Sequence, residues 1–269
     1  MRSILQNIEH RPWPVPGRPW IMQQVWHDLL FAHWPVSLSA LRPLIPAGLE
    51  IDTFEGRAWV GVVPFRMSGV RMRGLPATPG AARFPELNVR TYVVRDSKPG
   101  VWFFSLDAAS ALAVWGARTF FHLPYFLARM RCEENSGWIN YSSARKLRDA
   151  SPASSPASAP ASSSAFSGAH SGASLEARYR PAGEIFNARP GSLEYFLAER
   201  YCLYTAAKSG ALTRCEIHHP PWPLQLAQAS FQENTMATAA GIALPEKESP
   251  LLHFSRRQDV LVWAPEKLK

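Results

Sequence analysis

The chain is short of cysteine, of lysine and of long apolar runs, and each shortage excludes a class of protein. Three cysteines in 269 residues, Cys132, Cys202 and Cys215, are odd in number, far apart and form no C-x-x-C pair. A disulfide framework and a zinc site are therefore not expected, and a reducing cytoplasm is the expected setting. No apolar run approaches the ~18 residues of a membrane span. The opening MRSILQNIEHRPWP lacks the apolar core of a signal peptide. Only 6 of the 29 basic residues are lysine, and against 21 acidic residues the net charge is +8. The arginines are scattered, with no run of five basic residues, so neither nucleic acid nor a membrane is expected as a partner. The G-x-S-x-G elbow, the phosphate-binding glycine loop and H-E-x-x-H are all missing. His218 and His219 are adjacent, and neighbours on a strand point to opposite faces, so they do not chelate one metal. No metal and no cofactor are expected.

What is present is a turn-rich, aromatic-rich chain, with 24 Pro, 16 Gly, 14 Phe and 10 Trp. Residues 151–174 read SPASSPASAPASSSAFSGAHSGAS, of which 22 are Ser, Ala, Pro or Gly. Such a stretch has almost nothing to bury and cannot repay its ordering entropy. Its flanks, Trp138 to Arg145 and Leu175 to Pro181, alternate in the strand manner. The expectation is one domain over residues 1–269 with a flexible hairpin-loop insertion at 149–174. Two further hairpins are predicted. One joins Leu49–Phe54 to Arg57–Arg73, and the other joins Val89–Arg95 to Val101–Leu106. Three helices are predicted, capped by Ser37, by Asp107 (Ala108 to about Thr119) and by Ser192 (Leu193–Arg200). Many strands with few short helices predict an α+β fold, mainly antiparallel β, whose sheet closes into a barrel.

The most informative segment is Phe84 to Val93. With period two, Glu86, Asn88, Arg90 and Tyr92 share one face, and Leu87, Val89, Thr91 and Val93 share the other. A solvent-facing strand would read the same way. The apolar neighbours Val101 to Leu106 favour a pocket, where a few polar groups converge on apolar walls. Arginine suits a carboxylate because its fork binds both oxygens. Arg118 ends the Ala-rich helix, where the dipole alone favours a cation. His122 offers an imidazole in the same segment, although a lone His between Phe and Leu also reads as a hydrogen-bonded core residue.

Two stretches resemble the acetoacetate decarboxylase superfamily. Ala40-Leu41-Arg42-Pro43-Leu44-Ile45-Pro46-Ala47-Gly48-Leu49-Glu50-Ile51-Asp52 resembles its early helix-then-strand segment. Arg118 through Pro124-Tyr125-Phe126-Leu127 resembles its active-site segment, an Arg six residues before a Pro that two lysines follow. The whole chain, apart from the Ser/Ala/Pro stretch, is closer to an uncharacterised bacterial branch of that superfamily. The branch phrases are Phe31-Ala32-His33-Trp34, Trp59-Val60-Gly61-Val62-Val63-Pro64-Phe65, Glu86-Leu87-Asn88-Val89-Arg90-Thr91-Tyr92 and His122-Leu123-Pro124-Tyr125-Phe126.

The resemblance implies a cone-shaped closed β-barrel around a small-molecule cavity. The superfamily's reaction forms a Schiff base on a lysine of lowered pKa. Here Tyr125 and Phe126 stand where the two lysines would be, and neither forms an imine. Of the six lysines, Lys98 falls in a turn, Lys146 borders the insertion, Lys208 and Lys247 sit in turn-like stretches, and Lys267 and Lys269 are terminal. Arg118 carries over by position, and Glu86 matches an acidic residue of the family.

Three readings follow. The first is an enzyme, lyase-like, acting on a small carboxylate or carbonyl compound without Schiff-base formation. Glu86 would be its general acid/base and Tyr125 a donor to a carbonyl oxygen. Arg118, Arg90, Asn88 and His122 would bind an anionic ligand. The second is a non-catalytic binding protein that kept the cavity and lost the nucleophile. The third is a structural module in which Glu86 and Arg90 pair and no cavity remains. The sequence leaves a homo-oligomer open.

Overall fold

The computed structural model describes residues 4–76, 83–146, 172–207 and 209–268. Thirteen strands are described: β1 Met22–Val36, β2 Glu50–Ile51, β3 Ala58–Met72, β4 Arg83–Arg95, β5 Lys98–Ala108, β6 Tyr125–Asn135, β7 Trp138–Arg145, β8 Ser174–Phe186, β9 Cys202–Ala206, β10 Leu212–His218, β11 Leu224–Asn234, β12 Leu251–Val262 and β13 Glu266–Lys267. The helices are α1 Leu38–Leu41, α2 Ala111–Phe120, α3 Leu193–Ala198 and α4 Met236–Ala239.

The strands form one sheet ordered β13-β10-β9-β5-β6-β7-β8-β11-β12-β1-β3-β4-β2, with β4 also paired to β5 and β10 also paired to β12. The β4–β5 pairing joins distant members of that order. Neighbours therefore run in a ring from β5 through β6, β7, β8, β11, β12, β1, β3 and β4 back to β5. The β10–β12 pairing makes a second ring through β9 and β10. The two rings share β12, β1, β3, β4 and β5. All pairings are antiparallel except β5–β6 and β5–β9, which are parallel. The parallel β5–β6 pair needs a crossover, and α2 supplies it.

Sharing explains the burial pattern. A strand between two compartments has no face left for water, so both of its side-chain sets are apolar. On β1, Leu30, Ala32 and Trp34 join one apolar cluster, and Leu29 and Phe31 join another. On β3, Val60 and Val62 belong to the first cluster, and Val63, Phe65 and Met67 to the second. The first cluster continues into Ile139 and Tyr141 of β7 and Leu175, Ala177 and Tyr179 of β8.

Several local expectations are met and others corrected. Ser37 and Ser192 cap α1 and α3 as expected, accepting from the amides of Ala40 and Tyr195. Asp107 caps nothing. β5 runs on through Ala108 and Ser110 caps α2, while the Asp107 carboxylate accepts from Arg145 Nε at 2.8 Å. The predicted hairpin of Leu49–Phe54 with Arg57–Arg73 reduces to a single bridge between Phe54 and Arg57. Both edges of β3 are taken by β1 and β4, so β2 pairs with β4 instead. The second predicted hairpin forms and is longer, β4 and β5 turning at Asp96 and Ser97, both of positive φ. β7 and β8, which flank the Ser/Ala/Pro stretch, pair antiparallel with Ala144 opposite Ser174. Residues 147–171, most of the expected insertion, lie outside the described residues. No helix among the described residues is long and apolar enough to cross a membrane.

The parallel contact of β5 with β9 is close. A Cβ on Gly100 would lie 2.7 Å from the Cys202 carbonyl oxygen and 2.7 Å from its sulfur. Backbone cannot swing aside as a side-chain tip does, so Gly100→Ala is expected to lower stability by about 1–3 kcal/mol. A thermal melt of the variant checks this, and an unchanged midpoint would show that the two strands separate freely.

Candidate functional site

On the second-cluster side of the shared strands lies a cavity of about 680 Å³. Every strand of the second ring contributes to its lining, with α2 and Tyr125 along one side. Breaks in the strand period decide which residues reach it. On β1, Met22, Gln24 and Trp26 line the cavity, but after Asp28 the lining residue is Leu29. Asp28 has φ +53°, a conformation that Asp tolerates better than most residues, and it reverses the facing of the strand. It is buried and ion-paired to Arg66 and, at 2.7 Å, to Arg256. On β5 an extra residue opposite Val89 and Arg90 lets both Phe103 and Leu106 face the cavity, while Phe104 packs in the first cluster.

β4 needs no such break. Glu86, Asn88 and Arg90 lie on its cavity face, opposite Phe65, Val63 and Gly61 of β3. Tyr92, on the same face one step further, is fully buried behind Arg90 rather than lining the cavity.

At one end, Glu86 is 2% exposed and accepts a hydrogen bond from the Tyr125 hydroxyl at 2.9 Å. Tyr125 is brought there by the β5–β6 pairing, in which it sits opposite Leu106. Burial raises the Glu86 pKa to about 8, the Tyr125 hydrogen bond opposes the rise, and the charge of Asp107 adds to it. Asp107 is itself raised by burial to about 6, against the pull of Arg145. Burial and the adjacent Glu86 push Tyr125 well above its usual value. Glu86 is thus a neutral acid at pH 7, and the Tyr125 hydrogen is directed at it.

Two steps along β4 lies Arg90, 8% exposed. Its Nη2 donates to the Leu197 carbonyl at 3.2 Å, and its guanidinium lies over the Phe31 ring at 5.4 Å. Its Nε has no partner, and among the described residues no carboxylate pairs with it. Behind it, His33 Nε2 lies 2.6 Å from the Tyr92 hydroxyl, and His33 Nδ1 has no partner. That places the ring proton on Nε2, donated to Tyr92, whose own hydrogen goes to Leu197 O at 2.8 Å. Burial and the nearby Arg90 hold His33 well below its usual pKa, so no second charge builds there. Gly61 makes the arrangement fit, because a Cβ there would lie 2.9 Å from the His33 ring. Asn88 Oδ1 and Trp222 Nε1 are also buried on the lining without partners.

Arg118 and His122 are not brought to this cavity. Arg118 is exposed in the last turn of α2, and its Nε donates to the Tyr125 carbonyl at 2.6 Å. It holds the start of β6 rather than facing a ligand. His122 is exposed, with φ +54°, and its carbonyl accepts from Thr205. The crossover turns both side chains outward. The sequence reading missed Trp222, Arg200 and His219, which line the cavity from the far side. The Pro-Pro-Trp-Pro run around Trp222 was the available signal. Arg200 is engaged with Asp52 at 2.6 Å. His219 lies between the carbonyls of Pro220 and Arg200, and burial lowers its pKa to about 4.

No lysine among the described residues lines the cavity. Lys98 is in β5 rather than a turn, and binds Glu216 at 3.0 Å. Cys215 lines the cavity, but burial raises its thiol far above neutrality. Among the described residues, no cluster of three His, Cys, Asp or Glu side chains is placed to hold a metal. The Glu86–Arg90 pair and the filled interior expected of a structural module are not found among the described residues.

Residues 23–259 match DUF2071, a family described as an uncharacterized conserved protein. The chain belongs to that family. It is 48% identical over 260 residues to the uncharacterized protein YqjF of Bacillus subtilis strain 168, covering 97% of this chain and 98% of that one. In fold, this DUF2071 chain is similar to the enduracididine biosynthesis enzyme MppR complexed with pyruvate. That match has a TM-score of 0.61 at 11% identity and covers 97% of this chain and 93% of that one. It is likewise similar to acetoacetate decarboxylase from Legionella pneumophila, with a TM-score of 0.59, 11% identity, and 100% and 96% coverage. The branch read from the motifs is the one matched, and the strand-rich fold with few short helices agrees with these neighbours.

A buried acid raised to about pH 8 makes stability depend on pH with a definite sign. Between the unfolded value near 4.5 and about 8 the folded state holds a proton that the unfolded state releases, so Glu86 weakens the fold as pH rises. Glu86→Gln is expected to gain on the wild type from pH 5 to pH 8.5, by at most about 4–5 kcal/mol. Paired denaturant melts check it, and a pH-independent difference would mean Glu86 is ionised throughout.

Proposed function

We propose that this protein binds a small anionic carboxylate or carbonyl compound in the cavity and acts on it by acid–base chemistry without a Schiff base. The observation that carries the reading is Arg90. A buried guanidinium with no carboxylate partner is a costly state, and an anion entering from solution relieves it. The apolar lining lowers the local dielectric and strengthens that attraction. Asn88 and Trp222 supply further hydrogen-bonding atoms, one accepting and one donating. The ring of paired strands is read as a closed, cone-shaped barrel, in keeping with the fold neighbours. That one such neighbour is complexed with pyruvate favours an oxo acid as the first compound to try.

In the catalytic form of this reading Glu86 is the general acid/base. Protonated at neutral pH, it gives its proton to a carbonyl oxygen of the ligand and later recovers it. The Tyr125 hydroxyl stabilises the carboxylate left in between. A second reading, a binding protein without turnover, draws on the lining itself. Cys215 is held as a thiol and the Tyr125 hydrogen is directed at Glu86, so neither is an activated nucleophile.

Titration calorimetry with pyruvate tests the anion site. Arg90→Met should weaken binding about 10- to 100-fold, the value of a charged hydrogen bond; equal affinity would remove Arg90 from the site. For a converted compound, Glu86→Gln should abolish conversion and leave affinity within a few-fold. A ligand recovered unaltered from the wild type supports the binding reading. Borohydride treatment with pyruvate should add no mass to the protein, and a reduced adduct would overturn the imine-free assignment.

A further inference from the structure

We infer that the anionic compound held at Arg90 carries a long apolar tail of about eight carbons or more, which binds the cavity more tightly than a short acid does. The inference rests on the anion site at Arg90 and concerns the rest of the ligand. A three-carbon oxo acid has about six heavy atoms; at about 30 Å³ each it fills about 180 Å³. That is roughly a quarter of the 680 Å³ present. Cavities of that size enclose molecules several times larger.

The distribution of polarity says what fills the remainder. Glu86, Asn88 and Arg90 follow one another along a single strand, spanning about 13 Å of backbone. Away from that stripe and Trp222, the wall is largely aliphatic and aromatic, including Trp26, Phe65, Phe84 and Phe103. An apolar space of this kind stays dry, because water there finds too few partners. A short acid would leave those walls without contacts. A tail supplies them across the full length of the wall. The mouth continues the pattern. Leu112, Trp115 and Phe120 of α2 and Met72 of β3 all line the cavity, yet are 47%, 59%, 62% and 44% exposed. The rim is thus mostly apolar, with Arg71 and Gln24 its polar members, and it suits a ligand whose far end is hydrocarbon.

Straight-chain carboxylates from butanoate to dodecanoate, each below its micelle concentration, test this by calorimetry on the full chain, beside pyruvate. Affinity should rise about threefold or more per methylene over the series. Over the eight added methylenes, dodecanoate should bind on the order of a thousandfold or more tighter than butanoate. Arg90→Met should weaken every acid by the same factor and leave dodecanol unchanged. Ala113→Trp, which projects from α2 into the cavity, should weaken dodecanoate at least tenfold and leave butanoate within twofold. If butanoate and pyruvate bind as tightly as dodecanoate and still depend on Arg90, the tail is wrong and the anion site stands. If long acids and dodecanol bind alike and ignore Arg90→Met, the anion site is wrong. A length dependence untouched by Ala113→Trp would put the tail outside the cavity and overturn the inference.

Discussion

Five strands, β12, β1, β3, β4 and β5, belong to both rings of the sheet, and along their shared middle stretches the side chains of both faces are largely buried. From this sharing the rest of the molecule follows. Side chains of alternate residues must satisfy two interiors at once, so these strands carry near-continuous apolar sequence. One interior holds the apolar cluster of Tyr141, Tyr179, Phe254 and their neighbours. The other keeps a space. A polar residue on the second face is then committed to the cavity, because no solvent lies on that side.

That constraint gives three residues of β4 their character. Glu86 cannot shed its desolvation and so holds a proton to about pH 8. Arg90 is largely buried and meets Leu197, Tyr92 and the Phe31 face, with no carboxylate beside it among the described residues. Asn88 keeps an unpartnered oxygen. On an outer strand the same residues would be solvated and ordinary. The crossover through α2 adds Tyr125 at the acid end, and Arg118 fixes that entry by its bond to the Tyr125 carbonyl. Arg118 thus acts on backbone, whereas Arg90, on a different element, lines the cavity, as do Arg71 and Arg200.

Much of the site was legible because β4 keeps a strict two-residue period, and its hairpin with β5 forms as read, lengthened at both ends. Reading failed where the period breaks. Nothing in Trp26-His27-Asp28-Leu29 announces the reversal at Asp28, which depends on Arg66 and Arg256 from other strands. The extra residue on β5 is equally silent. Asp107 resembles a helix cap in sequence, and only the proximity of Arg145 from β7 turns it into a buried ion pair. His122 and Arg118 sit in a motif that implied the site, but the turn after α2 directs both outward.

The sequence by itself determined the local matters: the strand period, the serine caps, the family, and the Tyr125 and Phe126 that follow Pro124, since each is written in neighbouring residues. The tertiary structure alone decided that the Glu86–Arg90 stripe faces an enclosed space, that Trp222, Arg200 and His219 complete its wall, and that Arg118 stays outside. Those outcomes depend on which strands pair across long separations, as β4 with β5 and β10 with β12 close the rings. The burial of Glu86 and Arg90, and with it the raised pKa of Glu86, exists only once those strands have paired.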